Sequence, residues 1–107
     1  MTALFQVLWT LTTEKDVSAI IRYIVENDRE TAFLVLERIR QTVKQLNESP
    51  ERGRVIPELK KQGISSYREL IVSPWRIMYR VSGGKIFVLS VIDGRMNVED
   101  VLLNRFL

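Results

Sequence analysis

The chain has 107 residues, of which 46% are hydrophobic, and its net charge is +3. This length suits a single domain spanning residues 1–107 and leaves no material for a second core. Histidine and cysteine are both absent, which excludes disulfides, thiolate metal sites and hydrolases that depend on a histidine base. We therefore expect no metal and no cofactor. Without a long apolar run or a basic leader, the sequence predicts a cytoplasmic protein with no membrane segment.

The basic residues are concentrated in one part of the chain. Residues 50–95 hold nine Lys and Arg against four Asp and Glu, a net charge of +5, whereas residues 1–49 and 96–107 each carry −1. Such an asymmetry is what a surface facing an anionic partner needs. The alternative is that strands in this part alternate solvated arginines with buried apolar residues.

The first half of the chain predicts one strand followed by two helices. The strand covers Ala3–Trp9, which is rich in aromatic and β-branched residues. Thr12 or Thr13 is expected to cap the first helix, whose apolar residues recur at helical spacing to about Glu26. The short connection at Asn27–Asp28 makes the two helices an antiparallel hairpin. The second helix carries a longer apolar stripe, made of Ala32, Leu36, Ile39, Val43 and Leu46.

The second half of the chain predicts strands, because the period of its apolar residues changes from about 3.6 to about 2. The strands are Arg68–Val72, Arg76–Val81 with clean alternation between two faces, and the nearly continuous apolar run Ile86–Ile92. Ser82–Lys85 supplies the glycines of a tight hairpin between the last two strands. Asn97 begins a short terminal helix.

These elements predict the α+β fold class. The N-terminal strand and the helical hairpin are expected to pack on an antiparallel sheet, which ends in the three-strand meander and the short helix. Trp9 and Phe33 are expected to fill the core. The stretch between the second helix and the sheet, residues 50–66, is expected to be irregular.

Four short segments follow one another at ordinary spacing: GRVIPEL at 53–59, YRELIV at 67–72, WRIMYRV at 75–81 and VIDGR at 91–95. In this order they resemble the signatures of the RelE/ParE superfamily, toxins of bacterial type II toxin–antitoxin systems that are often described as plasmid stabilisation proteins. The resemblance covers nearly the whole chain. It implies a small growth-inhibiting toxin that is neutralised by a cognate antitoxin, either as a homodimer or as a heterotetramer with the antitoxin.

The superfamily divides into two mechanisms. RelE-like members cut mRNA on the ribosome without a metal, whereas ParE-like members inhibit DNA gyrase and are not nucleases. For a RelE-like endoribonuclease, the resemblance implies Arg68, Arg76 and Arg95 as basic catalytic residues around the phosphate and Glu58 as the base. The sequence departs from that pattern, because it has no histidine, no tyrosine near the C-terminus and Met96 where many relatives have arginine.

The basic residues also have other interpretations. Arg68 and Arg76 could pair with Glu69 or Glu58 instead of acting in catalysis. Trp75, at the start of a strand, could stack on a base or anchor its loop. The candidate contacts to nucleic acid or to a protein target are Arg54, Lys60, Lys61, Trp75, Arg80 and Arg95.

The C-terminal segment favours the ParE-like mechanism. Residues 95–103, RMNVEDVLL, resemble ParE-like C-termini, and a gyrase poison needs a surface and no acid/base pair. The predicted function is therefore growth inhibition through DNA gyrase. The alternatives are ribosome-dependent mRNA cleavage and an inactive toxin retained only for its antitoxin or for regulating its operon. An antitoxin segment is expected to fold onto the groove beside the two helices, as a helix or as an added strand.

Overall fold

The computed structural model describes residues 4–106. The predicted start of the first strand, at Ala3, lies outside these residues, as do the two ends of the predicted domain 1–107. Within the described range, no helix is both long and apolar enough to cross a membrane. The elements in chain order are β1 (Gln6–Trp9), α1 (Leu11–Val25), α2 (Arg29–Lys44), β2 (Arg54–Val55), α3 (Pro57–Lys60), β3 (Arg68–Val72), β4 (Trp75–Ser82), β5 (Lys85–Asp93) and α4 (Val98–Phe106).

The strands form one five-stranded sheet in the order β1–β5–β4–β3–β2. The α+β class is confirmed, and β3, β4 and β5 form the predicted antiparallel meander. β1 pairs with β5 in parallel, so the sheet is mixed where we predicted an antiparallel one. β1 and β5 are joined by most of the chain and not by a tight turn. A connection of that length permits either strand direction.

The helix α1 begins earlier than predicted. Its N-cap is Thr10, whose hydroxyl oxygen accepts a hydrogen bond from the backbone N–H of Thr13 at 3.2 Å. The prediction that Thr12 or Thr13 caps the helix was therefore wrong. Thr13 is buried, and its hydroxyl donates to the carbonyl oxygen of Val88 in β5 at 2.6 Å, which ties the first turn of α1 to the sheet.

The predicted apolar stripe of α2 faces the sheet, with Ala32, Ile39 and Val43 buried. Phe33 was wrongly expected in the core, because its side chain is 62% exposed. It follows Ala32 by one position, and one helical step turns a side chain by about 100° away from the buried stripe. Trp9 is partly buried and packs against the core, in partial agreement with the prediction.

Two apolar clusters lie on opposite faces of the sheet. The alternation predicted for β4 is confirmed, since Ile77 and Tyr79 face one cluster and Met78 faces the other. The larger cluster lies beneath α1 and α2, and the smaller one is covered by α3 and α4. The predicted irregular stretch 50–66 in fact contains β2 and α3, which are too short to produce a readable apolar period.

Tyr79 ties the loop before β2 to the sheet. Its buried hydroxyl accepts a hydrogen bond from the backbone N–H of Gly53 at 2.9 Å and donates one to the carbonyl oxygen of Pro50 at 2.8 Å. Burial raises the pKa of Tyr79. A Cβ at Gly53 would lie 2.5 Å from the backbone oxygen of Glu69, so the close approach requires glycine.

Replacing Tyr79 by phenylalanine is expected to lower the free energy of unfolding by about 1–3 kcal/mol, because the buried N–H of Gly53 loses its acceptor. Urea unfolding measures this loss. The matched control is Tyr23→Phe, since Tyr23 is 72% exposed and has no comparable partner to lose; we expect its effect to stay within about 0.5 kcal/mol. Equal effects of the two substitutions would show that the Tyr79 hydroxyl does not hold the loop.

Candidate functional site

Arg76 lies at the centre of a network of charged side chains on the α3/α4 face of the sheet. Its Nε donates a hydrogen bond to Glu69 Oε1 at 2.6 Å, and its Nη2 donates to Glu69 Oε2 at 3.0 Å. Nη1 and Nη2 also donate to the two carboxylate oxygens of Glu58, both at 2.7 Å. Two carboxylates thus occupy four of the five N–H groups that a guanidinium has.

Three strands and a short helix build this network. Glu69 and Arg76 lie on β3 and β4, and Arg54 lies opposite Glu69 on β2, where its Nε donates to Glu69 Oε2 at 2.7 Å. Pro57 begins α3, and the backbone N–H that proline lacks would have no partner within the helix at this position. Glu58 follows in the first turn of α3. The side chain of Glu69 has no exposed surface. All four residues were named from the sequence, but the binding of Glu69 to both Arg54 and Arg76 was not predicted.

The network is balanced in charge, with the two arginines Arg54 and Arg76 against the two glutamates Glu58 and Glu69. The hydrogen bond from Arg76 lowers the pKa of Glu58, and the hydrogen bond to Glu58 raises the pKa of Arg76. A carboxylate with a lowered pKa is a weaker base, and a guanidinium that already binds two carboxylates has little capacity left for a phosphate. This arrangement therefore ties β2, β3, β4 and α3 together, in line with the predicted pairing of Arg76 with the two glutamates.

The other two arginines of the predicted catalytic set lie elsewhere. Arg68 precedes Glu69 on β3 and points to the opposite face of the sheet, where its Nη1 donates to the carbonyl oxygen of Gly53 at 2.7 Å. Its predicted pairing with Glu69 or Glu58 is not present. Arg95 lies in the turn after β5 and is exposed, and its hydrogen bonds lower the pKa of Asp93 to about 2.

The remaining predicted contact residues take no part in the hydrogen bonds of the network. Lys60 and Lys61 are exposed at the end of α3, and Arg80 is exposed on β4. Trp75 is partly buried against the larger core cluster, which agrees with an anchoring position. Among residues 4–106, no three acidic side chains come together as a group that could hold a metal ion.

Replacing Glu58 by glutamine is expected to lower the free energy of unfolding by about 1–2 kcal/mol near pH 7. The pKa of Glu58 in the folded protein lies below its usual value of 4.5, so its contribution is complete above pH 4.5 and is lost as the pH falls through the folded value. The difference between wild type and variant should therefore shrink below pH 4.5.

Urea unfolding between pH 7 and pH 3 measures this difference. The control is Glu37→Gln, because the Glu37 pair with Arg40 is a solvated pair within one helix and is expected to contribute less than about 0.5 kcal/mol. A difference between wild type and Glu58→Gln that stays constant down to pH 3 would contradict the assigned pairing.

A groove runs between β1, an edge strand of the sheet, and the α1–α2 hairpin. Its volume is about 860 Å³, which is large enough for several side chains of a bound segment. Three basic residues, Arg22, Arg40 and Lys44, line it against one acidic residue, Glu14. The apolar lining consists of Phe5, Val7, Trp9, Val17, Ile21, Val25, Leu36 and Val43.

The exposed Phe33 is not part of the groove lining, but it lies on the same helix as Leu36 and Arg40, which are. On α2 it precedes Leu36 by three positions and Arg40 by seven, a spacing that places all three along one face of the helix. The groove beside the helices was predicted, whereas the part that β1 plays in it was not. Because the sequence does not show which strand lies at the sheet edge, Trp9 of β1 was assigned only to the core.

Residues 7–98 match the family described as the ParE toxin of the type II toxin–antitoxin system parDE. The chain therefore belongs to the ParE toxin family, a branch of the predicted RelE/ParE superfamily. Toxin ParE3 of Caulobacter vibrioides is 30% identical over 94 residues, which cover 87% of this chain and 90% of that protein.

Two solved structures share the fold. The chromosomal ParDE toxin–antitoxin system of P. aeruginosa contains a chain with a TM-score of 0.70 and 24% identity, and the match covers 86% of this chain and 98% of that one. The RelBE2 toxin–antitoxin complex of Mycobacterium tuberculosis contains one with a TM-score of 0.57 and 16% identity, and the match covers 87% and 94% of the two chains.

Proposed function

We propose that this toxin arrests growth in the cytoplasm by binding DNA gyrase, and that an antitoxin neutralises it by laying an acidic amphipathic segment into the groove of β1, α1 and α2. The observation that carries the choice of gyrase is the state of Arg76. Its guanidinium is bound by Glu58 and Glu69, so the residues that a metal-free nuclease would use as cation and base already neutralise each other. A toxin that acts by binding needs neither group free.

The groove supports an antitoxin partner of this chemistry. Its floor is apolar, and its rim carries three basic residues against one acidic residue. Amphipathic segments that fold on binding dock in such grooves through their apolar face, while flanking charges set specificity and the rate of association. The solved relatives, from a ParDE toxin–antitoxin system and a RelBE2 toxin–antitoxin complex, agree with an antitoxin partner.

The target is tested with purified components. We expect the toxin to make purified gyrase accumulate cleaved plasmid DNA, and we expect prior addition of the antitoxin to prevent it. Plasmid without gyrase is the control, since a toxin without nuclease activity leaves it intact. A toxin that neither binds gyrase nor changes its reaction with DNA would contradict the proposed target.

A further inference from the structure

The groove between β1 and the α1–α2 hairpin has an uneven distribution of charge. On its α1 wall, Glu14 lies in the first turn and Arg22 lies eight positions further along, which corresponds to about 12 Å on a helix. Arg40 and Lys44 line the α2 wall. Since α1 and α2 are joined by only three residues, 26–28, the end of α2 lies beside the start of α1. Glu14 therefore shares one end of the groove with Arg40 and Lys44, while Arg22 lies towards the other end.

Glu14 is solvated and makes no ion pair with its basic neighbours. Among residues 4–106, its carboxylate takes part in no salt bridge, and Arg40 pairs with Glu37 of its own helix at 3.5 Å. Arg22 donates to the hydroxyl oxygen of Ser18, also at 3.5 Å. Glu14 is exposed, so water surrounds its charge in the free toxin. A segment that fills the groove removes part of this water, and a carboxylate that loses water without gaining a partner weakens binding.

A carboxylate in a groove that is otherwise basic places a specific demand on the bound segment. Acidic side chains are attracted by Arg22, Arg40 and Lys44, whereas an acidic side chain next to Glu14 is repelled. We infer that the antitoxin segment presents one basic side chain to Glu14, and that this pair determines which antitoxins the groove accepts. The inference rests on the proposed function, in which the groove holds an acidic segment. A segment that is acidic throughout is rejected at Glu14, which is specificity through repulsion.

Replacing Glu14 by glutamine tests the pair, because the substitution removes the charge and keeps the size of the side chain. We expect the Kd for the purified cognate antitoxin to rise at least about threefold, and Glu14→Lys, which reverses the charge, to raise it at least about tenfold. If the segment has no basic residue at this place, removal of a negative charge from the groove tightens its binding. The two cases predict changes of opposite sign, so an unchanged or lower Kd in Glu14→Gln would overturn the inference.

The matched controls are Glu30→Gln and Glu30→Lys. Glu30 is an exposed acidic residue in the first turn of α2, as Glu14 is in α1, but it does not line the groove. The controls change the net charge and the charge near a helix N-terminus in the same way, and we expect the Kd to stay within about twofold of the wild-type value. A rise in Kd as large as that of the Glu14 variants would assign the effect to net charge and contradict a specific pair.

Charge exchange across the complex provides the second readout. One basic residue of the antitoxin segment, changed to glutamate, is expected to bring the Kd of the Glu14→Lys toxin back to within about threefold of the wild-type complex and to weaken binding to the wild-type toxin. If no single charge reversal in the segment does so, the pair does not exist.

The double variant Arg22→Glu/Arg40→Glu separates this inference from the proposed function. If the Kd of that variant is unchanged, the antitoxin does not occupy the groove, and the proposed antitoxin site fails together with the pair. If that variant binds more weakly while Glu14→Gln does not, the groove remains the antitoxin site and only the pair with Glu14 is wrong.

Discussion

Changing Arg22 and Arg40 together to glutamate is expected to raise the Kd of the toxin–antitoxin complex about a hundredfold, or about tenfold for each charge reversal. Both residues line the groove, and each reversal replaces an attraction to an acidic segment by a repulsion. Titration calorimetry with the cognate antitoxin measures the change. The salt dependence of the Kd should also decrease, because fewer opposite charges meet in the complex.

The control is Arg38→Glu, a single charge reversal on the same helix as Arg40, at an exposed position that does not line the groove. We expect it to change the Kd by less than about threefold, as rim and remote charges do. In cells, coexpressed antitoxin should rescue growth from the Arg38→Glu toxin but not from the Arg22→Glu/Arg40→Glu toxin. Equal Kd values for the two variants would show that the antitoxin binds elsewhere.

Replacing Arg76 by alanine is expected to lower the free energy of unfolding by about 3–5 kcal/mol. The substitution leaves the fully buried carboxylate of Glu69 with only Arg54 as a partner, and it removes both hydrogen bonds to Glu58. The free energy of unfolding of a small domain is only about 5–15 kcal/mol, so this loss is a large part of the total stability. Urea unfolding at pH 7 is the measurement.

Two further variants show whether the cost comes from the unpaired buried charge. Arg95→Ala removes an exposed arginine and is expected to leave the free energy of unfolding essentially unchanged. The double variant Glu69→Leu/Arg76→Met should be more stable than Arg76→Met alone, because it leaves no carboxylate buried without its main partner. A loss below about 1 kcal/mol in Arg76→Ala would mean that the network does not hold the sheet together.

This expectation determines which arginine can test catalysis. A loss of nuclease activity in Arg76→Ala would not separate catalysis from unfolding. Arg95 is exposed, its partner Asp93 lies two residues away in the same turn, and its removal should leave the fold intact. Arg95→Ala is therefore the variant with which to examine the RelE-like alternative.

The elements with a long apolar period could be predicted from the sequence. The apolar stripe of α2 and the alternation of β4 are recognised from a spacing that repeats over many residues. A single residue that departs from the pattern does not hide it. β2 and α3 could not be found in this way, because two and four residues give no period and their positions depend on pairing with β3 and on packing beneath α4. The parallel pairing of β1 with β5 is likewise a property of the folded sheet.

The candidate site shows the same limit. Pairing of Arg76 with Glu69 or Glu58 was one of two interpretations of the sequence, and only strand register and the position of α3 bring both glutamates onto one arginine. Arg68, adjacent to Glu69 in the sequence, is separated from the network by the alternation of the strand. Phe33 was wrongly placed in the core because the apolar stripe of α2 is only one residue wide. Such a stripe does not determine which way the neighbouring residue points.

Induction of the toxin in growing cells distinguishes gyrase inhibition from mRNA cleavage, with DNA damage and mRNA integrity followed in the same culture from the first minutes. We expect gyrase-linked DNA breaks and an SOS response while mRNA stays intact, with wild-type and Arg95→Ala toxins alike. Early mRNA cuts at codon positions that disappear with Arg95→Ala, in the absence of DNA breaks, would contradict the proposed target and establish the nuclease alternative.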